Sequence, residues 1–288
     1  MHETLLYVAS YTAFAALTKL AGGAGRPLAI LPVALAAGTL GWVLLLWWMT
    51  RTRRWQVAPV DGAVLSAGLA SVLILISSTL AYSLPKTSIL LPLLLMKGGV
   101  LTIAPAIDLA RGRQVTMQAA QAWLLAMVGF LVGVGELGSA SVGALCCAVT
   151  YLIGYALKLW AIDVRKGDQS FLLAEMSVTT ITALVVSIVL ALATSADTSA
   201  AAASPLPYLA GIASQGCGLF GGMLLMRRAP HSVCVALNRS ASVLAGTLAS
   251  YLLGRPPTPR ELIGALLLCL SVAVASAPRR VLTTNQAA

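Results

Sequence analysis

The sequence predicts an all-α polytopic membrane protein, with ten transmembrane helices arranged as two inverted five-helix repeats. Three observations predict it. Hydrophobic residues make up 59% of the chain and charged residues only 10%, against about 25% charged in a typical soluble domain. Apolar runs close to the ~20 residues needed to cross a hydrocarbon core recur ten times. The first five runs also fall on the second five when the halves are aligned so that Lys97 meets Arg239.

Taken in order, the runs lie at 5–21, 28–49, 60–82, 87–109 and 116–134, then at 139–158, 170–193, 205–226, 231–253 and 260–277. The first begins after only His2 and Glu3, with no basic leader and no cleavage site, so it reads as a permanent span and not a removed signal. Chain breakers punctuate the connections: Gly22-Gly23, Gly25 and Pro27; Pro59; Pro85; Gly112; Pro205 and Pro207; Pro230; and Pro256, Pro257 and Pro259. These connections are too short to hold a soluble domain. The expected units are a first repeat over 1–135, a second over 139–278 and a cytoplasmic tail over 279–288.

A net charge of +10 would point to nucleic acid in a soluble protein. Here its distribution gives a different account, and no nucleic-acid partner is expected. Arg51, Arg53 and Arg54; Arg111 and Arg113; Lys158, Arg165 and Lys166; Arg227 and Arg228; and Arg279 and Arg280 all follow even-numbered spans. They make up twelve of the 19 basic residues, while the opposite loops hold Arg26, Lys86, Arg255 and Arg260. The positive-inside rule then places both termini in the cytoplasm. Trp47, Trp48 and Trp55 flank the first arginine cluster as interfacial anchors.

Five is an odd number of spans, so the second copy must enter the membrane from the opposite face. The loops agree, because Arg51, Arg53 and Arg54 fall on Ala193, Ser195 and Ala196, which keep the shape and lose the charge. Gly112-Arg113 and Thr116 fall on Gly254-Arg255 and Thr258. Inverted repeats are a transporter architecture that holds substrate near the midplane.

Two residues stand out against this background. Lys97 lies in LLLMKGGV and Arg239 in VALNRSAS, both inside apolar spans. Each sits about 12–15 Å from its own helix start at ~1.5 Å per residue, which is near the middle of the core. A charge at that depth costs several kcal/mol, so such residues face cavities and mark functional sites. Arg offers a planar fork and Lys a point charge, a pair that suits a phosphate or carboxylate. Glu175, with Thr179 on the same face at i+4, is the candidate counter-charge, with a hydrated interfacial acid as its alternative. Asp108 and Asp61 lie nearer span ends and are expected to be solvated. Lys19 and Lys158 are expected to reach towards the interface. Gln215 is a candidate cavity contact, and Gly98-Gly99 could thin the helix wall beside Lys97. Tyr7 with Tyr11, and Tyr151 with Tyr155, each share a helix face and read equally as pocket lining or interfacial anchors. Gly129 with Gly133, and Gly218 with Gly222, have the spacing of close helix packing. The cysteines, Cys146, Cys147, Cys217, Cys234 and Cys269, lack metal-ligand spacing and read as buried apolar residues.

These features resemble the drug/metabolite transporter superfamily over nearly the whole chain. The links LARGRQVT and LLGRPPT, the second followed by Glu261, are similar to that superfamily's short polar links, without the usual acidic residue. The chain looks EamA-like. Ala236-Leu237-Asn238-Arg239 resembles the Ala-Leu-Asn-Lys motif of the nucleotide-sugar and triose-phosphate branch, whereas the aromatic-asparagine motif of span seven is absent from Phe171-Leu172-Leu173-Ala174-Glu175. Short length, tight loops and high Ala and Gly content point to a bacterial plasma membrane, and the resemblance implies a transporter in which Lys97, Asn238 and Arg239 contact an anionic substrate. Glu175, Gln215, Tyr11, Gly98 and Gly99 complete the expected substrate site.

The expected function is therefore secondary transport of a small phosphate- or carboxylate-bearing metabolite, by exchange. A proton-coupled exporter of amino acids, drugs or other metabolites on the same fold is the alternative. No cofactor or metal is expected. An enzyme is disfavoured because His2 and His231 lie near span ends and no span carries a carboxylate pair. The expected partners are the lipid bilayer and the substrate. The sequence leaves oligomeric state open.

Overall fold

A computed structural model describes residues 2–23, 27–52, 56–84, 88–112, 117–133, 142–227 and 231–276. Arg26, Arg53, Arg54, Trp55, Pro85, Lys86, Arg113, Thr116, Arg228, Pro230, Arg279, Arg280 and the rest of the tail lie outside the described residues.

Among the described residues the chain is helical, with no strand. Ten long helices fall close to the expected runs: α1 (His2–Gly23), α2 (Pro27–Arg51), α3 (Gly62–Ser83), α4 (Leu90–Ala110), α5 (Met117–Gly133), α6 (Val142–Ile162), α7 (Gln169–Ala193), α9 (Pro205–Leu225), α10 (His231–Leu252) and α11 (Pro259–Ser276). A five-residue helix, α8 (Ser199–Ala203), and a 3-10 turn over Asp163–Arg165 were not expected. α6 itself runs on to Ile162, four residues past Lys158, so that residue lies within the helix and not in a loop. Eight of the helices are long and apolar enough to cross a bilayer, all but α5, α8 and α11.

Polarity is distributed as a lipid solvent requires. Leu40, Leu131, Leu192 and Leu266 are each more than 60% exposed, while Lys97, Glu175, Asn238 and Arg239 are buried. In water so wide an apolar surface would drive aggregation; in a bilayer it is the solvated face. Trp47 and Trp48 are exposed beside Arg51, whose guanidinium lies 5.1 Å from the Trp47 ring.

Local chemistry sets the helix ends. Asp61 caps α3 by accepting the Val64 N–H at 2.8 Å, and Asp168 caps α7 by accepting the Ser170 N–H at 2.9 Å. These bonds hold the Asp61 and Asp168 carboxyls below the usual carboxylate range; for Asp61 the main cause is the Val64 N–H, and for Asp168 the Ser170 hydroxyl. α4 and α10 end alike. Gly112 (φ 70°) and Gly254 (φ 64°) both take the left-handed conformation that glycine adopts without strain. Their N–H groups donate to Leu109 O at 2.9 Å and to Tyr251 O at 3.0 Å.

The packing is regular. α2 lies against α7, α4 against α10, and α5 against α11. Most of the other contacts come in matched pairs when α6, α7, α9, α10 and α11 are set beside α1 to α5, although α1–α3 and α9–α10 have no counterpart of like extent. Thus α1–α9 answers α3–α6, α2–α9 answers α3–α7, α1–α10 answers α4–α6, and α4–α5 answers α10–α11. The α2–α9 crossing is so close that a Cβ at Gly211 would collide with the Ala34 carbonyl. Gly129 faces Leu267 and Gly264 of α11, while Gly218 and Gly222 face Met176 and Leu172 of α7, which is the packing role expected for them.

Candidate functional site

A cavity of about 120 Å³ opens among α1, α3, α4, α6, α7, α9 and α10. Lys97 enters it from α4 and Arg239 from α10, with 3% and 2% of their surfaces exposed. The two cations converge on one phenol. Lys97 Nζ donates to Tyr151 Oη, and Arg239 Nη1 donates to the same oxygen at 2.5 Å. Arg239 Nη2 donates to Tyr155 Oη. Tyr151 and Tyr155 sit one helical turn apart on α6, with their rings stacked at 5.6 Å and 21°. Lys97 Nζ also lies 4.4 Å from the Tyr151 ring and 4.9 Å from that of Tyr11, and the Arg239 guanidinium lies 4.2 Å from the Tyr155 ring.

Phenol oxygens and ring faces lessen the cost of burying these charges. They do not cancel it, because none carries a negative charge. Among the described residues neither Lys97 nor Arg239 forms an ion pair, and Arg239 Nε is buried with no hydrogen-bond partner.

The expected counter-charge is engaged elsewhere. Glu175 is 1% exposed and its Oε1 accepts from Lys158 Nζ at 2.5 Å and from Ser71 Oγ at 2.6 Å. Its Oε2 is buried with no partner. Glu175 is thus the partner of Lys158, and Lys158 is turned inward, not towards the interface. The two residues meet beside α3, which packs against both α6 and α7 and supplies Ser71: Lys158 stands four residues before the end of α6 and Glu175 six residues after the start of α7. Among the described residues the cavity lining holds three cations, Lys97, Lys158 and Arg239, against the one carboxylate of Glu175, a surplus of two positive charges.

Asn238 lines the cavity and also joins three helices. Its Oδ1 accepts from Tyr7 Oη at 3.4 Å and its Nδ2 donates to the Gly221 carbonyl at 3.2 Å. Tyr7 Oη is 3.0 Å from Ser242 Oγ, and Tyr11 Oη is 2.5 Å from Tyr82 Oη. Both tyrosine pairs are buried pocket lining and not interfacial anchors. Gln215 lines the cavity as expected, with Nε2 donating to Ser214 Oγ at 3.4 Å.

Further expectations need correction. Gly98 and Gly99 do not border the cavity; a Cβ would meet Phe130 of α5 at Gly98 and Leu152 of α6 at Gly99. Successive helical residues point about 100° apart, so neighbours of Lys97 in sequence face other helices. Asp108 is 3% exposed and not solvated. Lys19 Nζ donates at 2.6 Å to Leu84 O, the C-cap of α3, so it reaches towards the helix ends. Asp61 does lie at the surface, 2.7 Å from Arg165. The cysteines are free thiols; Cys234 is buried, and Cys146 is exposed, contrary to expectation.

Sequence reading missed Lys158 as Glu175's partner, and Ser71 and Tyr82. The short connection between α6 and α7 puts the two residues at similar distances from it; Ser71 and Tyr82 have no local signal.

Neither a protein-family profile nor a curated protein matches the chain. Among 26 similar solved chains, one described only as the crystal structure of a protein superposes with a TM-score of 0.67. That match covers 96% of this chain and 98% of the other at 16% identity, a likeness of fold alone.

Proposed function

We propose that this protein is a secondary transporter that carries a small anion, bearing phosphate or carboxylate, by alternating access and exchange. One observation carries the reading: Lys97 and Arg239, from helices in different halves of the chain, meet on Tyr151 in a buried cavity with no carboxylate of their own. An anion seated there replaces the phenol as acceptor and supplies the missing negative charge. Arg239 Nε has a bond still to make. The surplus of two positive charges favours a dianion over a monoanion.

In this reading α5 and α11 complete ten spans, and the helices form two inverted five-helix halves. The matched helix pairings and the like glycine endings of α4 and α10 support that repeat. So does the resemblance to the drug/metabolite transporter superfamily. Rocking one half against the other around the cations alternately exposes the site. Both termini are cytoplasmic and the membrane is a bacterial plasma membrane, as the basic loops and composition indicate. The chain is a carrier and not an enzyme, with no cofactor in its cycle.

Exchange follows from charge. An empty cavity keeps two buried cations uncompensated, so crossing empty is slower than crossing loaded. The unpartnered Oε2 of Glu175 favours a second reading, in which that carboxylate takes up a proton and couples it to export. Proteoliposome uptake of labelled phosphate, glycerol phosphate and succinate tests both. Exchange predicts at least one anion whose uptake needs internal anion and is lost in Lys97→Gln and Arg239→Gln. Equal uptake into empty vesicles removes exchange. Uptake unaffected by either substitution removes the anion site.

A further inference from the structure

A second cavity, of about 200 Å³, lies at the far end of α1 and is lined by Lys19, Ser88, Ser250, Arg255, Thr258 and Glu261 among others. It is aligned with the first. Ser250 follows Arg239 by eleven residues on α10, three turns or about 16 Å along the same helix face. Lys19 follows Tyr11 by eight residues on α1, about 12 Å along the axis. The two cavities are thus stacked along α1 and α10.

Between them stands an aromatic partition. Tyr11, Phe14 and Tyr82 contact one another edge-on, with centroids 5.9–6.3 Å apart, and the Tyr11 and Tyr82 hydroxyls are hydrogen-bonded. Thr18 continues the Tyr11–Phe14 stripe of α1 towards Lys19, and its buried Oγ1 has no hydrogen-bond partner. A buried polar atom in that state, one residue before Lys19 on α1, is a place that water or a passing solute can satisfy.

The charge of the second cavity is also positive. Among the described residues lining it, Lys19 and Arg255 stand with one carboxylate, Glu261, whose Oε2 accepts the Thr258 N–H at 2.9 Å and hydroxyl at 3.3 Å in capping α11. We propose that Lys19 and Arg255 form a second oxyanion site, divided from the central cations by the Tyr11–Phe14–Tyr82 partition. Its role as a waiting place for cargo rests on the transport reading above; its binding of an oxyanion does not.

Equilibrium binding of ³²P-labelled inorganic phosphate to the purified full-length protein tests this. Arg255 is exposed, so Arg255→Gln spares the packed interior. It should abolish one class of bound phosphate or weaken it roughly tenfold, the loss expected for a charge-assisted hydrogen bond. Arg255→Lys should restore most of it. Lys97→Gln with Arg239→Gln should leave that class in place while removing the other. If the double variant loses nothing and Arg255→Gln still does, the central cations do not hold phosphate and the second site stands. Binding that Arg255→Gln leaves unchanged, or a single class removed equally by both sets, overturns the second site.

Discussion

Replacing Lys158 with Met should destabilise the protein more than removing both members of its ion pair. Met keeps most of the side chain's length and apolar stem but takes away the charge. Glu175, 1% exposed, then keeps only the Ser71 hydroxyl at 2.6 Å, and its Oε2 is already without a partner. Stranding one member of a buried pair costs ~3–5 kcal/mol, whereas exchanging both for apolar residues is often neutral or stabilising. Equilibrium unfolding by SDS in mixed micelles, followed by tryptophan fluorescence, measures both. Lys158→Met should lose ~3–5 kcal/mol, and the double variant Lys158→Met, Glu175→Met should recover most of that loss. Lys158→Arg should stay close to wild type. A loss below ~1 kcal/mol in Lys158→Met, the value of an exposed pair, would refute the reasoning by showing that Glu175 is hydrated.

Tyr151→Phe removes the oxygen that accepts from both Lys97 and Arg239, and should lower the stability of the unliganded protein by ~1–3 kcal/mol in the same assay; an unchanged value would contradict the convergent geometry. Gly211→Ala drives a methyl into the Ala34 carbonyl across the α2–α9 crossing, and should cost ~1–3 kcal/mol, with no loss if the helices are not so close. Asp168→Ala should cost ~1 kcal/mol by uncapping α7. Because the folded state lowers the Asp168 pKa, this contribution is present at neutral pH and is lost as pH falls through and below about 4, so wild type and variant should converge in acid. A difference that persists in acid would contradict the cap.

Much of the architecture is legible in the chain because lipid leaves few choices. Every backbone polar group must be satisfied within a helix, so apolar length alone placed α1 to α7 and α9 to α11 to within a few residues. Lys97 and Arg239 were legible for the same reason: a cation in mid-span has few tolerable surroundings. What remained hidden was rotation about helix axes. An i, i+4 spacing puts Tyr151 and Tyr155 on one face without saying that the face looks inward, and adjacency to Lys97 made Gly98 and Gly99 seem close to a cavity they do not border. Lys158 and Glu175, taken one at a time, carry no signal of each other, because they meet beside α3, which packs against both their helices. Asp108 shows the remaining limit, since nearness to a span end did not translate into exposure.

Thermal unfolding of the purified protein, with and without saturating small dianions, tests the joint anion site most directly. Ligands that bind only the folded state raise its apparent stability. The account predicts that at least one phosphate or dicarboxylate stabilises the wild type, that Lys97→Gln and Arg239→Gln each abolish the shift, and that the double variant loses no more than either single one. A full shift retained by Arg239→Gln would contradict it.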